Sequence, residues 1–170
     1  MTNERQRPPF DADERTQLLG WFALQRNIVS LKCDALSDAD AHRVVIDGSP
    51  LMTVAGLLGH LRWTEHVWFQ IAFAGGDPGT NPQFADEDDV DFVTDGRPLA
   101  ELLDDYRDEC RASDAVIAAA DLSALGRCDL FPSGHASLRW MVIHMVEETA
   151  RHAGHLDLIR ELLDGQRSYY

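Results

Sequence analysis

Basic residues are scarce in this chain. Fifteen Lys and Arg stand against 29 Asp and Glu, a formal net charge of −14. Such a surface repels nucleic-acid phosphates and anionic lipid, so neither is expected as a partner. Long apolar runs are missing too: no stretch approaches the roughly 18 apolar residues of a membrane span. Residues 1–9 are polar and lack the apolar segment of a secretion signal, which makes the cytoplasm the expected location. Cysteine is sparse. Cys33, Cys110 and Cys128 form no CxxC pair and are too few and too separated for a disulfide scaffold. They read as small buried residues or solvent-facing bystanders.

What is present is ordinary for a globular protein, with 45% apolar and 26% charged residues. A length of 170 residues suits one domain with a sizeable core, so a single domain over 1–170 is expected, with 1–9 as a disordered tail. Apolar residues at helical spacing, among them Leu18, Phe22, Ile28, Val29 and Leu36, predict a first helix over about 11–36, with Asp11 as N-cap and Glu14 three places on. In the connection over 37–48, Val44-Val45-Ile46 is a candidate extended piece and Asp47-Gly48 a turn. Ser49-Pro50 marks the start of a second helix over 50–73, which Gly75-Gly76-Asp77-Pro78-Gly79 stops. Residues 75–97 read as a loop with the acidic patch Asp86-Glu87-Asp88-Asp89. Its length is that of a lid, an interface or a solvated excursion. A third helix over 98–120 and a fourth over 137–164 flank a connection with a turn signal at Phe131-Pro132-Ser133-Gly134. With four long helices, no convincing strand pair and no internal repeat, the fold class is all-α, a four-helix bundle with long connections.

The fourth helix carries the chemistry. His144, Glu148, His152 and His155 sit at offsets of 0, 4, 8 and 11, one stripe roughly 80° wide on a helical wheel. Leu138, Met141, Met145, Leu156, Ile159 and Leu163 define the core face. His152 falls within that arc and Glu148 at its edge, while His144 and His155 lie towards the rim. A carboxylate at the edge of a core needs a strong partner. A metal ion is one; Arg151, on the rim side of the same stripe, is another. On the second helix, Leu57, Leu61, Val67, Trp68 and Ile71 define the apolar face and His60 lies within it, whereas His66 points away and is expected at the surface. Two inward histidines and a glutamate form a candidate His₂Glu site for zinc, nickel or iron, with positions left open for water or substrate. A satisfied polar core remains the competing reading. Trp63, Trp68 and Trp140 are either pocket walls or core.

The runs LLGHLRWTEHVWF and HMVEETARHAGHLDLIRELLDG resemble the DinB-like, or YfiT-like, metalloenzyme superfamily, more narrowly its actinobacterial branch, over nearly the whole chain. The resemblance implies an up-down-down-up bundle and a metal held by His60, Glu148 and His152. The common helix-four pattern of that superfamily is His-x-x-x-His. Glu148 in the first place matches instead the relatives of mycothiol-dependent maleylpyruvate isomerase. His144 and His155 are reserves whose role the resemblance leaves open. It further implies thiol-dependent transferase or isomerase chemistry with mycothiol, bacillithiol or glutathione, the metal holding the thiolate and Arg151 meeting an anionic group of the cofactor. A homodimer is compatible with the family. The alternative is a non-catalytic stress-response or binding module that keeps the bundle without the chemistry.

Overall fold

A computed structural model describes residues 6–79, 81–128 and 135–167. Four long helices carry the fold: α1 (Glu14–Lys32), α3 (Val54–Glu65), α4 (Leu99–Ala118) and α5 (Leu138–Asp164). A short α2 (Asp38–Ala41), capped by Ser37, lies in the first connection. α3 runs on without a break as a π-helix, His66–Phe73. Among the described residues there is no strand, only an isolated bridge between Leu125 and Ser137.

Side-chain pairs along the helices fix their directions. Glu14 meets Arg139 at the starts of α1 and α5, and Lys32 meets Asp157 near their ends, so these two helices run parallel. Phe22 faces Phe69 and Arg26 bonds Glu65, so α3 runs against α1. His66 reaches Glu109, while Gly59 shares a cleft with Leu102 one or two turns earlier, so α4 runs alongside α3. The bundle is therefore up-down-down-up, as the resemblance implied. Two apolar clusters fill it. One gathers Leu57, Leu58 and Leu61 with Tyr106 and Leu156; the other gathers Phe22 and Phe69 with Met141 and Met145.

Several expected boundaries move. The cap of α1 is Asp13, whose carboxylate accepts from Thr16 N, not Asp11. α3 begins at Thr53, which caps Gly56 N, not at Ser49-Pro50. Burial decides the second case: Leu51 is exposed, whereas Val54 and Ala55 are fully buried. Val44–Ile46 is irregular, since among the described residues no partner strand lies beside it. Residues 75–97 hold two short 3₁₀ turns, Pro82–Phe84 and Val90–Phe92, packed on α3. The turn signal at 131–134 and residues 1–5 of the expected tail lie outside the described residues. Pro8 packs close to Gly20, where a Cβ would stand 2.6 Å from its ring.

One polar device crosses this apolar interior. The Arg26 guanidinium forks onto Glu65 with two bonds of 2.6 Å, reaches Asp114 at 2.6 Å and lies over the Phe22 ring. Both Arg26 and Glu65 are buried. Burial opposes the arginine's charge, but Glu65, then Cys110 and Asp114, outweigh it and hold the guanidinium protonated well above its ordinary value. The fork ties α1, α3 and α4 together. Removing one partner leaves an uncompensated buried charge, so Glu65→Ala is expected to lower stability in urea denaturation by about 3–5 kcal/mol. Arg26→Met combined with Glu65→Leu is expected to cost far less, because neither charge is then stranded.

Candidate metal centre

Helical spacing sets the first layer of the site. Glu148 and His152 are one turn apart on α5 and lean into its contact with α3, where His60 faces them. His60 Nε2 and His152 Nε2 each lie 3.1 Å from Glu148 Oε1. One ligand atom from each of the three residues lies within 4.8 Å of the others, the arrangement of a cluster compatible with a divalent metal ion. The side chains are 10–15% exposed, deep enough to be ordered yet reachable from outside. Two neutral imidazoles and a carboxylate are the donors that divalent transition metals take.

A second layer comes from the loop between α3 and α4. Asp91, in the Val90–Phe92 turn, lies 2.6 Å from His60 Nδ1. Phe92 stacks on the His60 ring, with centroids 4.3 Å apart. Gln83, from the other 3₁₀ turn, donates to both Asp91 Oδ2 and Thr64 Oγ1. With Nδ1–H donated to Asp91, His60 turns Nε2 to the site: protonated, it donates to Glu148, and once that proton leaves, its lone pair is free for a metal ion. Gly59 makes this approach possible: a Cβ there would stand 3.1 Å from both Asp91 O and Thr94 Cγ2. His152 is oriented similarly, its Nδ1 lying 3.3 Å from Nδ1 of His155.

The charges respond. His152 and then His60 hold the Glu148 carboxyl far below the usual carboxylate range. Burial works against a charge on His60, yet its hydrogen bonds to Asp91 and Glu148 prevail and raise it to about 9. Burial tends to raise Asp91, but His60 and Gln83 bring it below its ordinary value. Burial, then His152 and Arg151, lower His155, which suits an acceptor that must stay neutral.

The three residues singled out from the helical wheel are thus brought together. Of the reserves, His144 lies outside the cluster, packed against Trp68 and Trp140, and His155 stands behind His152. Arg151 bonds Glu147 and, at 3.2 Å, the outer oxygen of Glu148. His66 is half-buried rather than at the surface, because Glu109 on α4 takes its Nδ1 at 3.1 Å. Trp63 lies under the Arg62 guanidinium, beside a cleft of about 380 Å³ on the α4 side of the loop. Sequence reasoning missed Asp91, Gln83 and Phe92. Their signal was faint: an Asp between two apolar residues, and Gly56 and Gly59 beside an inward histidine.

In metal-free protein, these shifts act on stability in opposite directions. The Glu148 contribution is present above the ordinary carboxylate pKa and is lost as pH falls. The His60 contribution is fully present below its ordinary 6.5 and is lost as pH rises through about 9. Chemical denaturation in excess chelator should therefore show stability falling between pH 6.5 and 9. His60→Gln should remove that slope; a slope that survives the substitution belongs to another group.

A family model described as Mycothiol-S-transferase matches residues 17–165. Comparisons with curated proteins and with solved structures return no match.

Proposed function

This chain belongs to the mycothiol-S-transferase family, and from that premise we propose that it is a metal-dependent enzyme of a low-molecular-weight thiol, a transferase or isomerase acting on an electrophilic substrate. The observation that carries the reading is the convergence of His60 Nε2 and His152 Nε2 on Glu148, backed by Asp91. His60, Glu148 and His152 would hold the ion, zinc first by donor chemistry, with nickel and iron as alternatives. A bound divalent ion supplies the acidification that keeps a thiol as thiolate at neutral pH.

The chain's own residues do the rest. Asp91 keeps the Nδ1 proton of His60 and so presents Nε2 as a donor. Phe92 and the Val90–Phe92 turn cover one face of that ring and keep water from it. Arg151 pairs with the outer oxygen of Glu148, which turns the inner oxygen towards the two histidines. Arg151 is also half in solvent, where its guanidinium is placed to meet an anionic group of the thiol cofactor. The whole forms one domain acting in the cytoplasm on small molecules.

Elemental analysis tests the reading first: about one divalent ion per chain is expected, with His60→Ala and Glu148→Ala losing it. Normal metal content in both variants overturns the ligand set. In cobalt-substituted protein, added mycothiol should shift the visible absorption. An unshifted spectrum with full metal content would favour the non-catalytic module. Asp91→Ala should retain the fold and weaken metal affinity by about 10–100-fold in a competition titration.

A further inference from the structure

Beyond the three candidate ligands, a second group of aromatic rings lies along the same face of α5. Trp140, His144, Glu148 and His152 recur every fourth residue on α5, so they share one face. At about 1.5 Å per residue, His144 stands about 6 Å and Trp140 about 12 Å from Glu148 along the helix. The Trp140 and His144 rings are stacked, with centroids 5.3 Å apart and planes 21° from parallel. Trp68 closes the set from the α3 side, 4.7 Å from His144 and 5.3 Å from Trp140. Trp140 is 51% exposed, so one face of the stack is open.

The π-helix explains how Trp68 gets there. On a regular α-helix, successive fourth residues after His60 and Thr64 drift towards the core face. Bonds from i to i+5 put more residues in each turn and slow that rotation. Trp68 therefore stays on the His60 side, half-buried, rather than sinking among the leucines. The backbone thus departs from α geometry in the very segment that brings Trp68 to the stack, and π-turns concentrate at functional sites. Charge does not select the ligand here. The charged groups that flank the stack on α5 are paired, Arg151 with Glu147 and Arg139 with Glu14. A neutral, flat ring that stacks on an indole is what this surface favours.

Resting on the thiol-transferase reading of the neighbouring centre, we propose that Trp68, Trp140 and His144 form the subsite for a planar aromatic group of the electrophilic substrate, about one to two helical turns from the thiol site. Trp140 is the specificity-determining residue. It binds the ring and takes no part in bond making.

The binding test needs neither thiol nor turnover. 2-Naphthol and its saturated counterpart decahydro-2-naphthol are titrated into the purified protein, followed by the indole N–H signals in NMR. The aromatic probe should bind about three- to tenfold more tightly and shift the Trp68 and Trp140 signals. Trp140→Ala should erase that preference and Trp140→Phe should keep most of it. Equal binding of the two probes, an unchanged preference in Trp140→Ala, or shifts confined to Trp21 or Trp63 overturn the proposal. So does sedimentation showing that wild type is a dimer through this face and Trp140→Ala a monomer, since a second copy is then the occupant. Repeating the titration in Glu148→Gln separates the two readings: a preference that persists there stands even if thiol chemistry fails. If thiol chemistry holds while kcat/KM for aromatic and aliphatic electrophiles of equal reactivity is the same, the subsite alone fails.

Discussion

A carboxylate placed between two packed helices has to be met, and the meeting of Glu148 organises the rest of this site. Left alone at that depth it would cost several kcal/mol. Three positive or proton-bearing partners converge on it instead: His60 from α3, His152 one turn on, and Arg151 at the rim. Each partner then makes its own demand. His60 needs an acceptor for its second nitrogen, which Asp91 supplies. Asp91 needs donors of its own, which brings Gln83 and with it the loop between α3 and α4. The chain of requirements runs outward from one buried charge and explains why a loop of this length lies packed on α3.

α3 serves two polar systems at once. One side carries His60 and Thr64 to the centre, and the opposite side carries Glu65 to the fork with Arg26. The two do not share atoms, and leucines at 57, 58 and 61 lie between them in the core. The fork thus fixes the helix that aims His60 without touching the site. A helix pinned by charge on one side can present a donor on the other with little play, which a coordination site requires.

Local periodicity made the candidate ligands legible. Glu148 and His152 are one turn apart, so their shared face follows from the helix itself, and His60 was separable from His66 by the same wheel. Everything that depends on distant pairing was harder. Arg26 and Glu65 look like solvent residues on any hydropathy scale, and only their mutual fork lets both be buried. His66 was expected outside because Glu109 comes from another helix. Asp91 sits 31 residues from His60, inside a segment whose conspicuous feature, the acidic run at 86–89, is exposed. The π-segment left no mark in the residue pattern, since a change in hydrogen-bond register is not written in hydrophobic spacing. The caps moved by two to four residues because several residues in each stretch can cap, and burial of the first turn chooses among them.

The glycine beside His60 has a further consequence. Because Gly59 lets the Val90–Phe92 turn rest directly on α3, the turn and the histidine ring behave as one piece. Whatever stabilises His60 with its Nε2 lone pair available also stabilises the turn in place, and by reciprocity an order imposed on the turn is returned as affinity at the centre. On the proposed reading, filling the site and holding its roof in place are, in free-energy terms, a single event observed from two sides.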